Sequence, residues 1–282
     1  MGKKRTWQFW LLYFLKRGAL IYLGATLILT LLQRRLIYLP SKVTEEQSRL
    51  ESERLGLQPW LDRSGTIIGW RSLSPDIKSL PTNRLVVFHG NAGHALLRSY
   101  YARGFRNTPE SSAAWEVFLF EYPGYGARPG SPSEKELGSA ARQAFRELLM
   151  ESSRPVFLLG ESLGSSFASR LAGEYPKSVS GLILVTPMTC LAEVAAKHYR
   201  FLPVRLILRE SHNVKENLIS YPGPAAFLVA GRDEIMADHL GEMLYKEYTG
   251  RKKLWVQPEA THNTLNLSEG SEWWNEVRDF LK

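Results

Sequence analysis

Short apolar runs alternate with amphipathic stretches along most of the chain. Runs such as 155–160, 181–187 and 225–231 have the length of buried strands. Between such runs, the stretch 131–150 carries apolar residues at helical spacing and opens with a Ser-x-x-Glu start. Regular alternation of this kind predicts an α/β fold, with a mostly parallel central sheet flanked by helices on both faces. Further strands are predicted within 66–73 (in an early hairpin), 84–90, 115–126 and 252–258, and further helices over 94–105, 163–176 and 268–282.

The N-terminal segment differs from this alternation, because it carries one long apolar stretch. No residue between 18 and 32 is charged, and the preceding Lys16 and Arg17 can extend their charged groups toward an interface. A spanning helix needs about 20 apolar residues, with roughly 17 as the short limit. We therefore expect residues 7–33 to form a membrane anchor, with a spanning helix over about 15–33 and an aromatic interfacial lead-in.

Two alternatives to an anchor stay open for this segment. A cleaved signal peptide is one, but the sequence QRRLIYLP follows the apolar run in place of a small-x-small cleavage site. An amphipathic helix packed on the folded domain is the other. We expect residues 1–35 to be the anchor and residues 36–282 to form one folded domain, since a chain of this length can bury a single large core.

The net charge of +8 supports the same interpretation. Basic residues that flank an apolar run are typical of membrane segments, so we expect no nucleic-acid partner. The excess of basic residues before the run places the N terminus in the cytoplasm and the folded domain on the opposite face. The residues counted are Lys3, Lys4, Arg5, Lys16 and Arg17 before the run, and Arg34, Arg35, Lys42 and Arg49 after it.

The stretch GESLG at 160–164 places a serine between two glycines, where a predicted strand meets a predicted helix. In the pattern Gly-x-Ser-x-Gly the turn is so tight that side chains at Gly160 and Gly164 would collide, and the serine is raised clear of the sheet. The N terminus of the following helix favours an oxyanion. Ser162 is therefore predicted to be a nucleophile, the alternative being a chance pentapeptide.

A nucleophilic serine needs a general base, and the base needs an orienting acid. In the chain order serine, acid, histidine, the base lies in the loop after the last strand, where His262 is found. The acid follows the penultimate strand, and Asp233 is the preferred candidate because a loop side chain there can reach across the sheet edge. Glu234 and Asp238 are the weaker candidates, since they fall at or inside the following helix.

Two main-chain donors are expected to hold the oxyanion. Leu163 follows the nucleophile and is expected to supply the first N–H, and the loop HGNAG at 89–93 is expected to supply the second through Asn91. His89 in this loop is expected to be a structural residue that bonds to its own loop. His198 and His212 are weak candidates for any role in proton transfer.

Five motifs, HGNAG, EYPGYG, GESLG, GRDEI and THN, occur together and in the order typical of the α/β-hydrolase superfamily. From about residue 34 onward the chain resembles this superfamily, and in particular its membrane-anchored Bem46 and ABHD13/ABHD17-type branch, whose RRLIYLP run it shares. The resemblance implies an α/β-hydrolase fold. It also implies site roles, namely nucleophile Ser162, acid Asp233, base His262, and oxyanion donors Asn91 and Leu163.

The segment 188–222 is short for the cap that many α/β-hydrolases insert at this place, so we expect a minimal cap of one or two short helices and an open cleft. Its central stretch HYRFLPVRLILRESHN mixes arginines with apolar residues. Near a membrane this mixture fits an acyl chain or an anionic headgroup. An ordinary amphipathic helix docked on the sheet is the alternative.

The sequence thus predicts a membrane-anchored serine hydrolase that cleaves a carboxylic ester or thioester through an acyl-enzyme. A serine peptidase on the same fold is the alternative, since the fold does not define the substrate. A non-catalytic binding protein is disfavoured because nucleophile, acid, base and oxyanion loop are all present. The expected partners are an acyl substrate and membrane lipid, and no metal or organic cofactor is implied; the single Cys190 excludes a multi-cysteine zinc site.

Overall fold

The computed structural model describes residues 2–72, 82–105, 114–236 and 239–282. Its strands are β1 (Leu39–Pro40), β2 (Leu57–Leu61), β3 (Ile67–Ser72), β4 (Thr82–Phe88), β5 (Ala92–Gly93), β6 (Ala114–Phe120), β7 (Val156–Glu161), β8 (Val179–Val185), β9 (Ala225–Ala230) and β10 (Lys252–Gln257). Its helices are α1 (Gly2–Ile37), α2 (Glu45–Arg54), α3 (Ser99–Gly104), α4 (Glu134–Glu151), α5 (Gly164–Glu174), α6 (Leu191–His198), α7 (Val204–Ile207), α8 (Val214–Leu218), α9 (Leu240–Glu247) and α10 (Trp273–Leu281).

Eight strands form a central sheet in the order β10-β9-β8-β7-β4-β6-β3-β2. Each neighbouring pair from β10 to β6 is parallel, whereas β6, β3 and β2 pair antiparallel. The prediction of a mostly parallel sheet is confirmed, and β2 with β3 forms the predicted early hairpin. Residue 73, at the end of the predicted hairpin strand, lies outside the described residues.

Both faces of the sheet are buried under helices, and the central strand β4 shows how. Val86 and Phe88 join an apolar cluster that includes residues of α4 and α5. Leu85 and Val87 point the other way and join a cluster that includes residues of α3 and α10. A strand that is buried on both faces reads as a continuous apolar run, which is why the sequence pattern located these strands.

The helix α1 is one continuous helix that includes the aromatic lead-in and extends past both ends of the span expected over 15–33. Over Trp7–Ile37 it is long and apolar enough to cross a membrane, by length and composition. Most of its large apolar side chains are exposed, but positions 26, 29, 30, 33 and 37 are shielded to some degree. Because these positions recur at helical spacing, one face of its C-terminal half packs on the rest of the chain.

The cap, residues 188–222, is minimal, but it holds three helices (α6, α7 and α8), so the expectation of one or two was wrong. The difference has a local cause. The chain changes direction several times within this segment, so α7 and α8 are each little more than one helical turn long. The side chain of Asn213 caps α8 by accepting a hydrogen bond from the Glu216 N–H. The alternative of one docked amphipathic helix over the central stretch is not what the chain adopts there.

Three other helix boundaries differ from the prediction. The stretch 94–105 forms a 3₁₀ turn (Ala95–Arg98) before α3, and α10 begins at Trp273, five residues after the predicted start at 268. The helix α4 begins at Glu134, three residues after the predicted start at 131. The Ser-x-x-Glu signal is nevertheless present there, because the Ser133 side chain accepts a hydrogen bond from the Glu136 N–H.

Candidate active site

Ser162 lies on the tight turn between β7 and α5, and its backbone is strained. Its φ of 52° is in the left-handed region, which residues other than glycine seldom adopt. A Cβ atom added at Gly160 would overlap the main chain of Ser165, and one at Gly164 would overlap the carbonyl oxygen of Phe88. Both glycines are therefore required by close approach of the backbone, as the motif indicated.

Ser162, His262 and Asp233 come together at the carboxyl edge of the sheet. They lie in the loops after β7, β10 and β9. The His262 Nε2 atom is 3.1 Å from the Ser162 Oγ, and the His262 Nδ1 atom is 2.8 Å from the Asp233 Oδ2. The structure thus brings into one hydrogen-bonded series the three side chains that the sequence selected.

The Asp233 carboxylate is held in its charged form. Burial, the largest influence, would by itself raise its pKa. The hydrogen bond and the electrostatic interaction with His262, together with the N–H groups of Met236 and Ile235, outweigh burial and lower the pKa of Asp233 below its usual range. An ionised carboxylate at this place can orient the imidazole and stabilise an imidazolium.

The alternative acids do not occupy this position among the residues described. The Glu234 Oε2 atom accepts a long hydrogen bond, 3.4 Å, from the main-chain N–H of His262. Asp238 lies outside the described residues. Of the other histidines, His89 bonds within its own loop as expected, with its Nδ1 2.8 Å from the Gly90 carbonyl oxygen.

The two expected oxyanion donors line the same cavity as Ser162. Leu163 precedes the first residue of α5, where main-chain N–H groups have no acceptor within the helix. Asn91 lies in the loop after β4, with its side-chain amide donating to the Ile37 carbonyl at 3.0 Å and its own carbonyl accepting from the Leu39 N–H at 2.9 Å. The Asn91 side chain therefore binds the end of α1. The group of Asn91 that would donate to an oxyanion is its main-chain N–H.

Glu161, directly before the serine, is a partly buried charged residue that the sequence analysis did not single out. Its carboxylate accepts hydrogen bonds from Arg98 Nε at 3.1 Å, from the Tyr100 hydroxyl at 2.7 Å and from the Tyr101 hydroxyl at 3.0 Å. Burial would raise its pKa, but the Arg98 guanidinium and these hydrogen bonds lower it. The available signal was a charged residue at the end of an otherwise apolar strand.

A buried polar network lies behind helix α5. Glu210 accepts hydrogen bonds from Arg34 Nε at 2.8 Å and from the Tyr38 hydroxyl at 2.6 Å. The His212 ring lies between Tyr38 and Ser166, with Nε2 2.8 Å from the Tyr38 hydroxyl and Nδ1 3.0 Å from the Ser166 Oγ. His212 was expected only as a weak candidate for proton transfer, and the structure gives it a buried place in this network.

Burial lowers the pKa of His212 to about 4, so the ring is neutral at pH 7. Together with Glu134 and Glu210 it forms the group of potential metal ligands found in the described part of the chain. The two carboxylates are already paired, Glu134 with Arg170 and Glu210 with Arg34. The charge of this cluster is therefore balanced by arginines, and we assign it to holding α1, the cap and α5 together.

Two cavities meet at the side chain of His262, and Ser162 lines the larger of them. The larger, about 550 Å³, is mostly apolar and lies between α1, the cap and the loop after β4. The smaller, about 430 Å³, is lined by polar residues that include Tyr100 and Thr186 and by apolar residues that include Val185 and Leu265. Arg98, Glu161 and His262 line both cavities. Ser162 thus lies in a largely apolar space, and His262 also borders a second space of mixed polarity.

Comparison with known proteins shows the family of this chain. Residues 83–204 match the family described as alpha/beta hydrolase fold. An uncharacterized protein of Mycobacterium tuberculosis, Rv2307c, is 34% identical over 270 residues, which cover 93% of this chain and 92% of that protein. This chain belongs to the α/β-hydrolase superfamily.

Other α/β-hydrolase relatives cover less of the chain. Protein bem46 of Schizosaccharomyces pombe is 29% identical over 219 residues, 75% of this chain and 70% of that protein. The lysophosphatidylserine lipase ABHD12 of Mus musculus is 30% identical over 191 residues, 59% of this chain and 46% of that protein. The predicted resemblance to the Bem46-type branch is confirmed.

A solved structure shows the same fold. The esterase PF2001 of Pyrococcus furiosus superposes with a TM-score of 0.62 at 18% sequence identity, and the match covers 87% of this chain and 96% of that one. The predicted α/β-hydrolase fold is therefore confirmed, including its mostly parallel sheet.

Proposed function

We propose that this α/β-hydrolase is a serine hydrolase that cleaves a carboxylic ester or thioester of an acyl chain. The observation that carries the proposal is the hydrogen-bonded series from Ser162 through His262 to Asp233, with the serine hydroxyl facing a largely apolar cavity. The lipase activity in the name of the ABHD12 relative supports an ester of an acyl chain as the substrate class.

In the proposed first step, His262 Nε2 accepts the proton of the Ser162 hydroxyl as its oxygen attacks the substrate carbonyl carbon. Asp233 holds the imidazole tautomer and stabilises the imidazolium that forms. The negative charge that develops on the carbonyl oxygen accepts hydrogen bonds from the main-chain N–H groups of Leu163 and Asn91. The dipole of α5 acts in the same direction, because Leu163 lies at the positive end of this helix.

In the proposed second step, His262 donates its proton to the leaving alcohol or thiol, and the acyl group remains on the Ser162 oxygen. A water molecule then gives a proton to His262 as its oxygen attacks the acyl carbon. His262 returns this proton to the Ser162 oxygen as the bond between that oxygen and the acyl carbon breaks, which releases the carboxylic acid. The smaller cavity next to His262 is the space into which a leaving group would depart.

We also propose that residues 1–35 anchor the catalytic domain, residues 36–282, to a membrane as a single-pass protein. The length and apolar character of α1 support this assignment. The basic residues before the apolar run favour a cytoplasmic N terminus and a catalytic domain on the opposite face. A reporter enzyme fused to the C terminus tests this orientation, and activity confined to the cytoplasm would reverse it.

Replacement of Ser162 by alanine tests the proposed chemistry. We expect the variant to lose labelling by a fluorophosphonate probe and to hydrolyse p-nitrophenyl esters at least ~10⁴-fold more slowly, because the nucleophilic oxygen is gone. An unchanged circular dichroism spectrum would show that the fold is kept. Labelling that persists in the variant would contradict Ser162 as the nucleophile.

A substrate panel separates this proposal from its alternatives. The wild-type protein is offered p-nitrophenyl esters, acyl thioesters and aminoacyl anilides, and we expect the esters or thioesters to react fastest. Hydrolysis of the anilides alone would favour a serine peptidase. A wild-type protein that neither labels nor hydrolyses any member of the panel would favour a binding protein on a hydrolase fold.

A further inference from the structure

We infer that α1 is part of the substrate site: the acyl chain of the substrate enters the apolar cavity from the bilayer, between α1 and the cap, and α1 forms one wall of its binding pocket. The inference rests on the proposed serine hydrolase activity, because it assumes that an acyl group reaches Ser162. It assigns to the anchor a role in substrate selection in addition to tethering.

The wall is formed by one face of α1. Leu29, Thr30, Gln33 and Ile37 line the apolar cavity, and they recur at the three- and four-residue spacing of a helix face. The same cavity extends to Ser162 and His262. Its volume of about 550 Å³ lies within the roughly 300–1,000 Å³ typical of small-molecule sites. A chain held against this face of α1 would therefore lead to the serine hydroxyl.

Hydrogen bonds at several positions along α1 hold it against the cap, so this wall of the cavity is part of the folded molecule. The buried side-chain amide of Gln33 donates to the Ile207 carbonyl at 3.3 Å and accepts from the Arg209 N–H at 2.7 Å. About three turns earlier, the Tyr22 hydroxyl donates to the Phe201 carbonyl at 2.7 Å. At the C-terminal end, the Glu210 network described above fixes Arg34 and Tyr38.

The rim of the cavity is apolar and faces outward. Phe201 and Leu206 of the cap are 90% and 86% exposed, and they are sequence neighbours of Leu202 and Ile207, which line the cavity. The other faces of α1 also expose large apolar side chains, including Leu31, which is 65% exposed. Exposed apolar surface of this extent marks contact with a membrane or a partner. The Phe201 carbonyl accepts a hydrogen bond from Tyr22, so this surface lies beside the proposed anchor. A membrane is therefore the occupant that fits.

Basic residues accompany the exposed apolar side chains of the cap. Arg200 and Arg205 are exposed and directly precede Phe201 and Leu206 in sequence. Apolar residues that enter the acyl layer, next to arginines that remain among anionic headgroups, are typical of interfacial membrane binding. The mouth of the cavity would then open within the acyl layer, and an acyl chain could enter without crossing water.

The first experiment narrows the pocket from the α1 side. In the full-length protein, Thr30→Trp places a large ring in the cavity, and Leu31→Trp is the matched control on an exposed face of the same turn. We expect Thr30→Trp to lower, by about tenfold, the ratio of kcat/KM for p-nitrophenyl palmitate to that for p-nitrophenyl butyrate. The added ring would overpack a cavity that the long acyl chain occupies, and overpacking of this kind costs roughly tenfold in binding of that chain. The control should keep the wild-type ratio.

Fluorophosphonate labelling and the melting temperature establish that each variant is folded and has a reactive serine. A folded Thr30→Trp protein with the wild-type ratio, or an equal fall of the ratio in the Leu31→Trp control, would overturn α1 as a pocket wall. If the wild-type protein neither labels nor hydrolyses any ester, the proposed function fails instead, so the two failures are distinguishable.

The second experiment tests entry from the bilayer. The double variant Phe201→Glu, Leu206→Glu places charges at the rim, and Ile219→Glu, at a side chain that is 82% exposed but does not line the cavity, is the matched control. We expect the double variant to lose about tenfold more activity on an acyl ester in phosphatidylcholine vesicles than on p-nitrophenyl butyrate in solution, since charged groups enter an acyl layer at high cost. Equal losses on both substrates, or the same selective loss in the control, would overturn entry through this rim.

Discussion

At the scale of single residues, the proposed catalytic geometry depends on backbone strain at Ser162 and on one charged carboxylate. A non-glycine residue at φ 52° costs about 1–3 kcal/mol, and the turn keeps this conformation because β7 and α5 are both well packed on either side of it. Gly160 and Gly164 leave the space that the turn needs. These local requirements are visible in sequence as glycine spacing.

Replacement of Asp233 by asparagine tests the proposed acid. The side-chain amide would present an N–H to His262 Nδ1 and select the wrong tautomer, so we expect kcat to fall about 10⁴-fold while the fold is kept. Glu234→Gln is the control, because that carboxylate accepts from the main chain of His262, and its loss should be far smaller. An inactive Glu234→Gln protein next to a nearly wild-type Asp233→Asn protein would contradict the assignment.

At the scale of elements, the buried network joins three segments that are far apart in sequence. Tyr38 follows α1, Ser166 is in α5, and His212 lies between α7 and α8. Around the neutral His212 ring lie the charged groups of Glu134, Glu210 and Arg170, with Arg34 bonded to Glu210. A proton added to this ring would add a charge to a site from which water is excluded.

We expect the network to make the fold sensitive to mild acid. The pKa of His212 is about 4 in the folded chain, below the ordinary value of 6.5, so between pH 6.5 and pH 4 the unfolded chain binds a proton that the folded chain does not. The contribution of the unprotonated His212 ring to the free energy of unfolding is therefore present above pH 6.5 and is lost as the pH falls toward 4. The melting temperature should therefore decrease across this range.

His212→Asn should weaken that decrease, because it removes the titrating ring while asparagine tolerates the φ of 42° at this position. The exposed His198, which is bonded through Nε2 to the Ile235 carbonyl, provides the control variant His198→Gln. Melting temperatures of the three proteins, measured from pH 7 to pH 4, check the prediction. Equal slopes for His212→Asn and the wild-type protein would show that other groups dominate.

At the scale of the whole molecule, α1 is both the proposed anchor and a part of the folded structure. Its hydrogen bonds to the cap and to the Asn91 loop connect α1 to the proposed oxyanion donor. Tethering alone raises the effective concentration of an enzyme at its substrate surface. The packing of α1 adds a second effect, since removal of the helix also opens one side of the apolar cavity.

A protein that begins at residue 36 should leave the membrane fraction without detergent and keep activity toward a short, water-soluble ester. Its activity toward an acyl substrate in a bilayer should fall by more than its activity toward the short ester, because both the tether and the pocket wall are lost. Fractionation and the two rates check this. A full-length protein released by a high-salt wash, or found in cells without residues 1–35, would contradict the anchor.

The sequence by itself determined the central strands of the sheet and the glycine-flanked turn at Ser162. Both are local properties, because buried strands appear as apolar runs and a tight turn requires glycine at fixed spacing. It also pointed to Asp233 and His262, since the loops that follow parallel strands all meet at one edge of the sheet. That edge could be predicted once the strands were located.

Only the tertiary structure decided which face of α1 is covered and which residues meet behind α5. Apolar residues surround the helix, and the polar Thr26, Thr30 and Gln33, which share the covered face, do not by themselves show which segment covers them. Tyr38, Ser166 and His212 are separated by 46 to 174 residues, and no local pattern brings them together. Contacts of this kind exist because the sheet places distant segments side by side. In the sequence, the residues that form them appear only as isolated polar residues.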